Sequence, residues 1–169
     1  QVPDGDTIGR FRNILEANSL QDKLFDDVVR LLESEGLILH RGTIVDSTLI
    51  ASPSSTKNKE KSRDPEAHQS KKGNQWHFGY KAHIGVDTDT GLIHTLETTA
   101  GNISDVSMTS KLLTGEEEEV HGDAGYVGAE KREDAVTRNK FGRKIKYRIC
   151  RRPSTLKKLS RSGQYKARK

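Results

Sequence analysis

The alternation at residues 76–86 constrains this chain more than any other feature. Phe78, Tyr80, Ala82, Ile84 and Val86 alternate with His77, Gly79, Lys81, His83 and Gly85. A period of two places the two sets on opposite faces, the pattern of a half-buried strand. Asp89-Thr90-Gly91 supplies a turn, so residues 76–100 read as a β-hairpin.

The other elements fall around this hairpin. Residues 7–36 read as two helices, with Ile8, Phe11 and Leu15 on one face and Leu20, Leu24, Val28 and Leu31 on another. Ser19 and Asp22 have the spacing of a capping box, which predicts a break near Asn18, and Gly36 suits a helix end. Ile44, Val45, Thr48 and Ile50 predict a strand over 43–50 with Asp46 in its middle. Residues 51–75 are polar, with two prolines, and read as a long surface loop. Beyond the hairpin, Ser104 is placed to cap a helix over 105–113, and Gly115–Glu119 read as a solvated loop. Val120 leads a strand into Asp123, a helix is expected over 128–139, and a strand over 144–150. Pro153 breaks the chain before a short basic helix.

This order predicts an N-terminal helical segment (1–36), a mixed α/β core (37–150) and a basic C-terminal segment (151–169). A helical crossover returns the chain parallel to an earlier strand. If the strand ending at Asp123 lies beside the one holding Asp46, the two acids approach each other within the sheet.

Charge is unevenly spread. Residues 138–169 hold 14 of the 29 Lys and Arg and none of the 24 Asp and Glu. Such a segment is either a solvated end or a polyanion-binding surface, because phosphates reward dense cations by counterion release. No apolar run approaches a membrane span, so no membrane partner is expected. No signal peptide is visible, and the single cysteine, Cys150, fits a reducing cytoplasm and reads as a small core residue. Gln1 is the first residue and Met108 the sole methionine, as in a processed chain or a fragment. Zinc-type spacings and nucleotide-binding glycine loops are missing from the sequence.

Asp46 and Asp123 are the best chemical candidates. Each alone has a bland reading, Asp46 as a strand residue facing solvent and Asp123 as a helix cap. A carboxylate on a central strand needs a partner, and a divalent cation is one. Two such cations clamp both oxygens of an in-line phosphoryl displacement. Gly122, Ala124 and Gly125 would leave room for a phosphate backbone beside Asp123.

Four stretches carry a resemblance: "GTIVDSTLIASPSSTKNK", "RDPEAHQSKKGNQWHFGYKAHIGVD", "TAGNISDV" and "HGDAGYVGAEKRED". The chain resembles the catalytic core of bacterial insertion-sequence transposases of the DDE class, from about residue 7 to its end. The resemblance implies an RNase H-like fold: a mixed five-stranded sheet, its first three strands antiparallel, with helices on both faces. It implies DNA strand cleavage and joining with two Mg2+ or Mn2+ ions. The implied partners are double-stranded DNA, as terminal inverted repeats and target, and a homo-oligomer on DNA, in the bacterial cytoplasm at the nucleoid. The family's first two acids map onto Asp46 and Asp123, 77 residues apart. "KKGNQW" makes Lys71, Lys72, Asn74 and Gln75 candidate DNA contacts, and the basic end adds Arg143, Lys144, Arg151, Arg152, Lys157 and Lys158.

The third acid of the family, a Glu on the helix after the fifth strand, has no counterpart, because no Asp or Glu follows Asp134. Tyr165 and Arg168 have the spacing that opens the family's signature, which would put the Glu beyond Lys169. Glu130 and Glu133 lie on the wrong element. The expectation is a transposase fragment with little activity alone. The alternatives are a DNA-binding remnant that interferes with intact transposase, a relic that never folds stably, and another RNase H-like nuclease. Trp76, His77 and His83 flank the hairpin; a histidine there could touch phosphate or ligate a metal, but six residues apart on a strand His77 and His83 read as structural.

Overall fold

The computed structural model describes residues 2–57, 59 and 61–160. Residues 161–169, with Tyr165 and Arg168, lie outside it. The chain divides into two compact units, residues 1–38 and 39–169.

The first unit holds helices α1 (Gly5–Ala17) and α2 (Gln21–Ser34). Asp4 caps α1, its side chain accepting from the Thr7 amide at 2.7 Å. The break at Asn18 falls where expected. The capping box does not form: Ser19 takes a left-handed φ of +51°, and Leu20 stands at the N-cap of α2 without a side-chain bond. With that φ the Ser19 hydroxyl is one residue too early to cap. Both helices are amphipathic and keep Phe11, Ile14, Val28 and Leu31 exposed.

The second unit is built on a six-stranded mixed sheet: β1 (Gly42–Ala51), β2 (His68–Lys72), β3 (Gln75–Asp87), β4 (Ile93–Ala100), β5 (Glu119–Gly122) and β6 (Lys146–Ile149). Its order is β2-β3-β1-β5-β6, with β4 also paired to β3. β1 and β4 both run antiparallel to β3, whereas β5 pairs parallel to β1 and β6 parallel to β5. This is the RNase H-like arrangement that the sequence implies, with one strand more than expected. The extra strand is β2, which rises out of the presumed 51–75 loop and pairs with β3 across Gly73-Asn74. Tyr80 donates to Asp64 at 2.6 Å and ties the remaining loop to the sheet.

The core lies on one face. Val45 and Val120 point to the same side and meet Leu112, Tyr126 and Ile145. The connection from β4 to β5 runs through Asp105–Leu112, a 3-10 helix and not the α-helix expected, which buries Met108, Thr109 and Leu112. Ser104 precedes it without a side-chain cap. The opposite face leaves Ile44, Ile50 and Leu96 exposed.

The expected helix over 128–139 does not form. Gly128 takes a φ of +96°, and a 3-10 turn at Ala129–Lys131 is all the helix that follows. Val136 and Thr137 are β-branched and disfavour helix. The segment then folds back on itself, with Arg138 bridging Lys144, and the Tyr147 hydroxyl donates to the Val136 carbonyl at 3.0 Å. A short helix, α3 (Pro153–Lys157), carries the proline at its first turn.

The acidic run 116–119 is not a solvated loop. Glu117 is fully buried and accepts from the Thr43 and Thr114 hydroxyls and from the Thr114 and Gly115 amides. Glu116 pairs with Lys140, Glu118 with Arg143, and Glu119 takes both arms of Arg148 at 2.5 and 2.8 Å. The basic stretch after residue 138 therefore spends part of its charge inside the fold.

Candidate functional site

Asp46 and Asp123 meet through sheet register. Val45 is the last β1 residue paired with β5, opposite Gly122. The next residue on each strand is Asp46 and Asp123. Parallel neighbours in register point to the same face, so both carboxylates rise together where β5 ends. Both are exposed and both line the same two cavities.

The local sequence fixes each carboxylate. Asp123 caps the 3-10 turn Ala124–Tyr126, its Oδ1 accepting from the Gly125 amide at 2.8 Å. Asp46 Oδ1 accepts from the Ser47 amide at 2.7 Å. Among the described residues, the second oxygen of each takes no hydrogen bond. The small neighbours serve a purpose other than the one expected. A Cβ on Gly125 would come within 2.9 Å of Asp123 Oδ1, and one on Gly122 within 3.2 Å of the Tyr126 side chain. Their missing side chains seat the carboxylate and the tyrosine ring.

The two cavities lie on either side of this acid pair. One, about 480 Å3, lies over the open face between Ile44, His121, Arg148 and Cys150. Cys150 is exposed here and not a core residue, because β6 is an edge strand of the described sheet and ends one residue earlier. The other, about 170 Å3, is polar and bordered by Ser47, Lys71, Lys72, Lys81, Asp105 and Tyr126.

Sequence reasoning missed Lys81, Asp105 and Tyr126. Lys81 Nζ lies 2.8 Å from Asp105 Oδ1 and 2.7 Å from the Ile103 carbonyl. His83 is buried beside them, and its Nε2 meets the Thr99 hydroxyl at 2.8 Å. Burial holds the His83 imidazole below its usual value, against the pull of Asp105. The Tyr126 phenol is pushed up, first by burial and then by Asp105 and Asp46. Parity in the sequence pointed the other way: Lys81 shares a face with Gly79, His83 and Gly85, opposite the apolar set, yet that face of β3 is the more buried one and lies on the side of Val45.

The expected DNA contacts divide. Lys71 and Lys72 border the polar cavity, and Lys71 Nζ sits 5.8 Å over the exposed Trp76 ring. Asn74 lies in the β2–β3 turn and Gln75 begins β3, pairing with Lys72, so neither borders the cavity. Arg143 is engaged by Glu118. Lys144 is exposed in its bridge to Arg138, and Arg151, Arg152, Lys157 and Lys158 are exposed around α3. Glu130 and Glu133 are exposed and border neither cavity.

Two carboxylates, each with an oxygen left over, suit a hard cation that keeps several waters. Among the described residues, no group of three His, Cys, Asp or Glu gathers closely enough to hold a metal. Asp105 shares the polar cavity but is held by Lys81.

Fold and site thus define an α/β domain that presents an acid pair beside a basic cavity. The chain belongs to the transposase DDE domain family, whose model matches residues 38–168. The cryo-EM structure of the piggyBac transposase synaptic complex with hairpin DNA is also similar, at 17% identity and a TM-score of 0.42. That match covers 86% of this chain and 33% of the other, so the chain spans about a third of that protein's length.

Proposed function

We propose that this transposase domain supplies the acid pair for phosphodiester cleavage and strand transfer on double-stranded DNA. The observation that carries the reading is the register of Asp46 and Asp123 on adjacent parallel strands. Asp46 and Asp123 would hold Mg2+ or Mn2+, two ions in the complete site, through the oxygens their backbone hydrogen bonds leave over. A divalent cation there makes water or a 3′-hydroxyl a better nucleophile and neutralises charge on the phosphate. The amides of Ser47 and Gly125 hold the two carboxylates in fixed rotamers, so little reorganisation is needed when the cation arrives. Lys71 and Lys72 neutralise phosphate oxygens at the neighbouring cavity, and the exposed cations of residues 151–158 track the backbone beyond it. The bond broken joins phosphorus to its leaving oxygen; the bond formed joins phosphorus to the attacking oxygen. Terminal inverted repeats, target DNA and a second copy of the chain are the proposed partners, and the bacterial nucleoid the proposed location.

The test is nicking of supercoiled plasmid by the full-length gene product in Mn2+. Nicked circles that disappear in both Asp46→Asn and Asp123→Asn are expected. Nicking that persists undiminished in either variant would remove the acid pair from the reaction.

A further inference from the structure

The Tyr126 side chain has two ends with different surroundings. Its ring is packed among Val45, Leu112, Val120 and Ile145, and the residue is 1% exposed. Its hydroxyl is buried and has no hydrogen-bond partner among the described residues. Ser47 lies near enough to influence it, but the two do not reach hydrogen-bonding geometry. A buried hydroxyl without a partner is destabilising, and a phenylalanine would fill the same space without that cost. Gly122 gives up its side chain to seat this ring, since a Cβ there would press on Tyr126.

Tyr126 borders the polar cavity beside the acid pair, and its buried hydroxyl lies near enough to Asp105, Asp46 and Asp123 to feel their charge. Each carboxylate there already has one donor: the Ser47 amide for Asp46, the Gly125 amide for Asp123 and Lys81 for Asp105. The rest of the border offers donors, among them Lys71 and Lys72. The oxygens that Asp46 and Asp123 leave over belong, in the reading above, to the cation, so the unspent O–H calls for an acceptor from outside. A cavity of about 170 Å3 has room for a single phosphate group but not for a base pair.

We infer that the Tyr126 hydroxyl donates a hydrogen bond to a non-bridging oxygen of a DNA phosphodiester held between the acid pair and Lys71 and Lys72. Tyr126 is then a substrate-binding residue with its ring in the core. This rests on the DNA-processing reading above and adds a neutral contact to it.

The experiment is Tyr126→Phe, read two ways. Thermal unfolding reports the fold: the midpoint stays or rises, because an unpartnered group is removed. Fluorescence anisotropy with a short labelled single-stranded oligonucleotide, in Ca2+ and over a range of NaCl, reports the contact. Affinity falls about tenfold, as expected for a hydrogen bond to a charged acceptor. The slope of log affinity against log salt stays unchanged, because no cation is lost. Lys71→Ala serves as the contrast and lowers that slope. Unchanged affinity in Tyr126→Phe overturns the inference while leaving the DNA reading intact. A lowered unfolding midpoint also overturns it, since the hydroxyl would then have a partner within the protein. Absence of oligonucleotide binding by the unsubstituted protein overturns both.

Discussion

Lys81 and Asp105 form an ion pair at 2.8 Å on the covered face of the sheet, with the lysine side chain 11% and the aspartate 29% exposed. The pair joins β3 to the 3-10 helix that roofs the core, next to the polar cavity. A buried cation that loses its anion is costly, whereas replacing both by apolar groups is often neutral. Asp105→Asn is expected to cost about 2 kcal/mol in urea unfolding, and the Lys81→Met/Asp105→Leu double variant distinctly less than the sum of the single changes. Additive losses would show that the two side chains act independently.

Glu117 predicts a larger effect. It is fully buried, and its oxygens take two amides and two hydroxyls. Glu117→Ala takes the acceptor from all four donors, of which the Thr43 hydroxyl keeps His94 Nε2 at 3.1 Å, and is expected to destabilise by about 3 kcal/mol or more. A change within about 0.5 kcal/mol, the range of ordinary surface substitutions, would show that the loop carries no such network.

Stability should fall in two stages on acidification. His83 is held below its usual value, so the unfolded chain binds its proton first. Stability from this group is present above the unfolded value of about 6.5 and declines as pH drops below it. The carboxylates act lower. Burial pushes Asp87 up, but the amides of Leu39, Thr90, His40 and Asp89 outweigh it and hold it below its usual value. Arg148 brings Glu119 down to about 2. Their contribution is present above the unfolded carboxylate range and is lost as pH falls below about 4. Unfolding midpoints across pH check this: His83→Gln should remove the first decline and leave the second.

DNA binding should depend on which cations are unspent. Lys71→Ala and Lys72→Ala are each expected to reduce the salt slope of duplex binding by about 1. Arg143→Ala should change it much less, because that guanidinium meets Glu118 at 2.7 Å. Equal slopes for all three variants would place the interface elsewhere.

The strands were legible because their signals are local, although the apolar set of β3 falls on its less buried face; the approach of Asp46 to Asp123 rested on an assumed pairing of their strands. Alternation in β3, β-branched residues in β1 and the short run into Asp123 each act within a few residues. β2 was hidden because its polar residues form an edge, where pairing with β3 and not burial makes the strand. The expected helix over 128–139 lost to Gly128 and the fold-back at Arg138–Lys144, which depends on contacts with Glu116 and Glu118 more than 20 residues away. Glu117 looked like one of four equivalent acids, and only the register of β1 brings Thr43 to it. Tyr126 is ordinary in sequence; its unspent hydroxyl exists only once Val45, Leu112 and Val120 enclose the ring.

The central claim is that Asp46 and Asp123 form one shared cation site. Isothermal titration with Mn2+ in the absence of DNA tests it most directly, on the unsubstituted chain, Asp46→Asn, Asp123→Asn and the double variant. The account predicts that either single change weakens binding at least tenfold and that the double change adds little. If one single variant keeps the original affinity, or if the two losses add independently, the carboxylates do not share a cation.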